Sequence, residues 1–231
     1  MRTRFQQGLD DLKVRLLEMG GLAEAAIELA SDSYRKRDAR IAQQVFEREK
    51  MINTSQRTID EMAVDLLAMQ QPMATDLRFV LAVLKINSDL ERVGDLAVNI
   101  AQRSLDLLQE PEVEIPVDVA RMTTAVSTMV RRALEAFLSA KGEVAQAVLE
   151  MDSIVDRMKD EAFVNLVAKM TSSPDRVRSY LDVLLITRSL ERIADHATNI
   201  AEDVIFWVSG ADVRHNPRFS QEPDSDAPRT H

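Results

Sequence analysis

Residues 88–101 read SDLERVGDLAVNIA, and residues 188–201 read RSLERIADHATNIA. At an offset of 100 residues, Leu90, Glu91, Arg92, Asp95, Ala97, Asn99, Ile100 and Ala101 recur as Leu190, Glu191, Arg192, Asp195, Ala197, Asn199, Ile200 and Ala201. The likeness continues backwards through Leu81/Leu181, Val83/Val183, Leu84/Leu184 and Ile86/Ile186. At roughly 100° per residue, Phe79, Val83, Ile86, Leu90, Val93, Ala97, Ile100 and Leu107 form one apolar seam, broken only by Ser104. A neighbouring stripe, from Val80 through Asn87, Glu91 and Gly94 to Leu108, is apolar at its ends and polar in its middle. The stretch is therefore a long helix, present twice. A duplicated core alone would not require charged residues to recur in place.

Working outward, the same period predicts helices over about 3–37, 39–70 and 75–108 in the first copy, and 117–140, 143–170 and 175–209 in the second. Asp38 stands as an N-cap, and Gly210 as a C-terminal cap. Gly20-Gly21 interrupts propensity without ending the apolar period. Gln70-Gln71-Pro72 and Ser172-Ser173-Pro174 are the matching breaks. The segment QEPEVEIP at 109–116 carries two prolines and three glutamates and reads as a linker. A weaker echo joins Glu49 and Asn53 to Asp152 and Asp156 at an offset of 103 residues, which places a small indel near the proline loops. The expected organisation is all-α: six long helices in two tandem, pseudo-symmetric three-helix bundles. The first bundle spans 1–109, a linker 110–116, the second bundle 117–210, and a disordered tail without apolar period 211–231.

Composition agrees. Gly (6) and Pro (7) are scarce, aromatics are 4%, and hydrophobic residues are 45% of 231. With 29 Lys and Arg against 38 Asp and Glu, the net charge is −9, and no basic run offers a nucleic-acid footprint. Without cysteine, disulfides, thiolate metal sites and cysteine nucleophiles are excluded. No run approaches the ~20 apolar residues of a membrane span, and the N-terminus lacks a signal-peptide apolar core. The expectation is a cytoplasmic protein.

The chemistry concentrates on the third helix of each copy. Glu91 and Asp95, and again Glu191 and Asp195, stand one turn apart and project to one side. Two such carboxylates repel, and against a half-buried seam the repulsion grows unless a cation lies between them. A bound metal ion, an Arg or Lys side chain, or a shared proton would each serve. Arg92, Arg192, Arg78, Arg178 and Lys85 are the cations considered for an interhelical ion-pair network. Asp152 and Asp156 form another pair, with Glu49 and Asn53 as its partly polar counterpart. Helices two and five would thus add oxygen donors for a hard cation. Asn99 and Asn199 extend the row by one turn.

The stretches PMATDLRFVLAVLKINSDLERVGDLAVNIA and SYLDVLLITRSLERIADHATNIAE resemble the PhoU family, over about residues 3–210. The repeated L-E-R-x-x-D-x-A-x-N-I-A element carries the resemblance. It implies a non-enzymatic negative regulator of phosphate uptake and phosphate-starvation signalling. Such a regulator links the ATPase subunit of a phosphate ABC transporter to a sensor histidine kinase, and is peripheral to the membrane through those partners. It also implies metal ligands, for iron, zinc or manganese, at Glu91, Asp95, Glu191 and Asp195, with Asp152, Asp156 and Glu49 contributing. A homodimer is a further expectation. Two departures stand out: Asn53 replaces an acid, and Leu96 replaces a histidine that His196 keeps.

Two other functions compete. A ferritin-like di-iron protein needs Glu-x-x-His pairs, but Gly94 and Ala194 follow the glutamates by three residues. A helical adaptor without a phosphate role would tolerate loss of the acidic motifs. No Gly-rich phosphate loop, GxSxG element or basic phosphate cradle is legible, which argues against direct phosphate sensing. The methionines and Trp207 read as packing.

Overall fold

A computed structural model of the chain describes residues 4–69 and 72–211. It contains α1 (Arg4–Lys36), α2 (Ala39–Met69), α3 (Ala74–Leu108), α4 (Val119–Ser139), α5 (Gly142–Ser172) and α6 (Val177–Ser209), with a 3₁₀ turn at Pro174–Arg176. Among the described residues there is no strand. The expected helix ends at Thr3 and Gln70, and the tail beyond Ala211, lie outside the described residues.

Local chemistry sets the boundaries. The Asp38 carboxylate accepts the Arg40 backbone N–H at 2.8 Å, capping α2. Asp118 does the same for Arg121 at 2.9 Å, so α4 begins at Val119, two residues later than its apolar pattern predicts. Gly210 takes φ +73° and its N–H returns to the Phe206 carbonyl at 2.8 Å, closing α6. The α5 helix runs two residues past Met170 to Ser172. Pro174 then opens the 3₁₀ turn, where its missing N–H leaves no bond unmade, and α6 starts only at Val177.

Helices α1, α2 and α3 pack on one another, as do α4, α5 and α6; the two sets meet along α3 against α6 and α1 against α4. Two ion pairs mark opposite ends of the α3–α6 contact: Lys85–Asp203 at 3.2 Å and Arg103–Asp182 at 3.3 Å. The helices therefore run antiparallel. Exchanging the copies, by adding or subtracting 100, carries the first contact almost onto the second. This places the pseudo-twofold near Val93 and Ile193.

The predicted seam is the core. Phe79, Val83, Ile86, Leu90, Val93, Ala97, Ile100 and Leu107 are all buried. Ser104 is buried with them, its hydroxyl donating to the Ile100 carbonyl at 2.9 Å. In the neighbouring stripe Asn87 is buried and its amide donates to the Gln56 carbonyl (3.0 Å) and to Asp60 (2.9 Å), tying α3 to α2. Gly20 is explained by close approach: a Cβ there would stand 2.6 Å from Leu134 Cδ1 of α4. Among the described residues no helix is long and apolar enough to cross a membrane.

Gly94 shows how the copies diverged. A Cβ at Gly94 would stand 3.0 Å from Ile52 Cδ1. The second copy has Ala194, and Val155 at the position matching Ile52; both are buried. One carbon has moved from one helix to the other. In a close-packed interior such exchanges are coupled. Gly94→Ala combined with Ile52→Val is therefore expected to be more stable than the two single changes sum to, by about 0.5 kcal/mol or more. Urea denaturation of all three variants measures this; strict additivity would remove the packing argument.

Candidate functional site

The acidic motifs of α5 and α6 face one another. Between them lies a cation that sequence reading missed. The Lys159 ammonium donates to Asp156 (3.4 Å) and Glu191 (3.3 Å), and stands 3.6 Å from Asp160. Burial disfavours its charge, but Glu191 and Asp156 outweigh this and hold its pKa above the ordinary value. One lysine does not neutralise the cluster. Asp152 and Asp195 both titrate above the ordinary carboxylate value. Desolvation is the main cause, followed by Asp156 and Asp195 for Asp152, and by Glu191 and Asp156 for Asp195.

The first copy is arranged differently. Glu91, its side chain 18% exposed, lies 3.5 Å from Arg92 Nε, and Asp95 lies 3.4 Å from Arg92. Arg92 itself is exposed and on the same helix, so it offers weak, screened compensation. The Glu91 pKa is raised by desolvation first and by Asp95 next; Glu49 of α2 adds to the repulsion. The Asn53 amide donates to Glu49 one turn earlier. Asn53 Oδ1 is buried without a donor. This is the motif in which Asn replaces an acid, and it leaves a buried oxygen available to a cation.

The structure thus assembles every predicted site residue into two clusters: Glu49, Asn53, Glu91 and Asp95 in one, and Asp152, Asp156, Glu191 and Asp195 in the other. As donor sets, all-oxygen and mutually repelling, they suit a hard cation. Among the described residues, however, no three acidic or histidine side chains stand close enough together to enclose an ion.

Other cations considered from sequence are engaged elsewhere. Lys85 pairs with Asp203, Arg178 with Glu110 at 3.3 Å, and Arg78 donates to the Trp207 carbonyl at 3.3 Å. Nor does Asn199 extend the acidic row. It donates to Asp89 at 3.3 Å, and the same carboxylate oxygen lies 2.7 Å from His196 Nδ1. Asp89 carries no periodic signal of its own. Its partners sit over 100 residues away on α6, so only the α3–α6 crossing reveals it.

A family model described as the PhoU domain matches residues 16–104 and again 119–204, once in each set of three helices. The chain belongs to the PhoU family. It is 41% identical over 213 residues to the phosphate-specific transport system accessory protein PhoU homolog of Pseudomonas aeruginosa, covering 92% of this chain and 88% of that one. Among solved structures, PhoU from Pseudomonas aeruginosa superposes with a TM-score of 0.86 at 39% identity, over 90% of this chain and 100% of that one. The phosphate transport system regulatory protein PhoU from Streptococcus pneumoniae gives 0.81 at 26% identity, over 91% and 99%. These relatives are named as accessory or regulatory proteins and not as enzymes, and the all-α tandem-bundle architecture is theirs as well.

Proposed function

We propose that the chain is an accessory protein of a phosphate-specific transport system, and that it acts as a negative regulator. In this reading it couples the ATPase subunit of the phosphate ABC transporter to a sensor histidine kinase, in the cytoplasm, and represses phosphate-starvation genes when phosphate is plentiful. The observation that carries it is membership in the PhoU family across both copies, at 41% identity to a phosphate-transport accessory protein over nearly the whole chain. Packed helical bundles agree with a coupling role. Such a role needs only differential affinity for two partner states, of order 1–3 kcal/mol. Pairing of two copies of this elongated molecule belongs to the same proposal.

The two acidic clusters are proposed as metal sites. Glu91 and Asp95 with Glu49 would hold an ion in the first, and Glu191 and Asp195 with Asp152 and Asp156 in the second. Iron, zinc or manganese would supply the positive charge that Lys159 and Arg92 supply only in part.

Affinity capture from phosphate-rich cells tests the regulatory reading. The intact protein is expected to retain the transporter ATPase or a sensor kinase, and its deletion to leave starvation genes on in rich phosphate. Capture of neither, with unchanged expression in the deletion strain, would leave a helical adaptor without a phosphate role.

A further inference from the structure

The α3–α6 contact has two ends related by the pseudo-twofold, and they have opposite character. At one end Asp89 is held by His196 and Asn199, and Asp203 by Lys85. Carrying those positions to the other copy turns Asp89 into Ser189, Asp203 into Arg103, Ser88 into Arg188 and His196 into Leu96; Asn199 becomes Asn99, and Arg92 becomes Arg192. Both acids of the first end are replaced and two arginines are added, while Lys85 becomes Leu185; Asp182, where the first copy has Ala82, is the acid that pairs with Arg103 at this end. The result is an open groove of about 340 Å³ lined by Leu96, Asn99, Arg103, Leu185, Arg188, Ser189 and Arg192.

We infer that this groove binds a small phosphate-bearing anion. Three arginines line it and no carboxylate does. Arg103 already pairs with Asp182 and, at 2.9 Å, with Asp106. Arg188 and Arg192 are exposed, one turn apart on the same face of α6, and neither has an ion-pair or hydrogen-bond partner among the described residues. Like charges at that spacing repel, and an anion between them removes the repulsion. The second, independent observation is internal to the molecule. At the twofold-related end, Asn199 donates to an oxyanion, the Asp89 carboxylate. At this end its counterpart Asn99 faces a groove where the carboxylate has been replaced by a serine. A soluble anion would take the place the side chain vacated.

The chemistry points to phosphate. Guanidinium groups bind phosphoryl oxygens through two parallel hydrogen bonds, and a multiply charged group gains from Arg188 and Arg192 at once. The volume is at the lower end of small-ligand sites, roomier than one inorganic phosphate needs. A diphosphate or nucleotide would fill it better. With a net charge of −9 the chain as a whole repels anions, so attraction must come from this local group. Sequence reading found no basic cradle because Arg103 and Arg188 are 85 residues apart. The inference stands whether or not the chain regulates a transporter.

Calorimetric titration of the full chain, in phosphate-free buffer with a chelator, tests it with inorganic phosphate, pyrophosphate, ATP and succinate. The chelator prevents an anion from bridging to the acidic clusters through a metal. Pyrophosphate or ATP is expected to bind most tightly, and succinate to bind more weakly than either. Arg188→Ala/Arg192→Ala should weaken binding by about tenfold per arginine. Arg188→Lys/Arg192→Lys, which keeps charge but loses the planar fork, should fall between. Both arginines are exposed, so unchanged helicity by circular dichroism will show that the variants fold; Arg15→Ala, on α1, serves as the neutral control. Three results would each overturn the inference: no binding of any phosphate probe up to about 10 mM, equal affinity in the double-alanine variant, or succinate binding as well as pyrophosphate.

Discussion

Phe137→Ala will lower the stability of the whole chain by about 3–5 kcal/mol, the largest effect expected of any single substitution here. Phe137 in α4 is fully buried. Its ring stacks on Phe79 of α3 at 5.9 Å and tilts against Trp207 of α6 at 5.4 Å; Phe79 and Trp207 meet edge-on at 5.0 Å. Truncation forfeits the burial of the ring and leaves a cavity that three rigid helix ends cannot close. It also removes two aromatic contacts, each worth about 0.5–1.5 kcal/mol beyond burial. The cluster joins a helix of the first bundle to two of the second, so the loss should be felt by both. Trp207 is the only tryptophan, which gives a local probe: its fluorescence should report the same lowered urea midpoint as the far-ultraviolet helical signal. At ~2–4 °C per kcal/mol for a chain of this size, the melting temperature should fall by roughly 10 °C. A loss under about 1 kcal/mol would mean that the helix ends collapse onto the cavity. Two separate transitions would mean that the bundles unfold independently.

Much of this was legible in the sequence, for a physical reason. Long helices with few Gly and Pro impose their period on the chain, so the seam from Phe79 to Leu107 announces itself. A duplicated motif also says which polar residues are not merely solvated. What stayed hidden depends on distance in space without periodicity in sequence. Lys159 reads as a surface lysine spaced for Asp156 on its own helix. Only the packing of α5 on α6 brings it to Glu191. Asp89 reads as an ordinary exposed acid until the α3–α6 crossing supplies His196 and Asn199. The arginine groove requires side chains from both copies. Helix ends shifted by a residue or two wherever a side-chain cap, at Asp118, or a proline turn, at Pro174, overrode the apolar pattern.

The acidic cluster between α5 and α6 should make Asp152→Asn/Asp195→Asn more stable than the natural chain when metal is absent, and less stable when it is present. Neither residue bonds to Lys159, so that lysine keeps Asp156 and Glu191 in the variant. Both carboxyls titrate above their ordinary value of 3.8 in the folded state, through desolvation first and neighbouring acids next. The folded state therefore holds protons that the unfolded state has already released. Stability falls as pH rises from 3.8 through the raised values, and above them the repulsion is fully in force. With chelator, the variant's advantage should be absent near pH 3.8, grow through the weakly acidic range and be complete at pH 7. Each relieved repulsion is worth roughly 0.2–0.5 kcal/mol, because these side chains are partly solvated. Adding iron, zinc or manganese inverts the order. An ion at 100 times its dissociation constant stabilises the folded chain by about 2.7 kcal/mol, which should raise melting by roughly 5–10 °C. The variant should lose most of that response. Differential scanning fluorimetry across pH, with chelator and with each metal, reads both effects. If the variant is less stable than the natural chain in chelator at pH 7, repulsion does not govern this cluster. If metal shifts both proteins equally, the ion binds elsewhere.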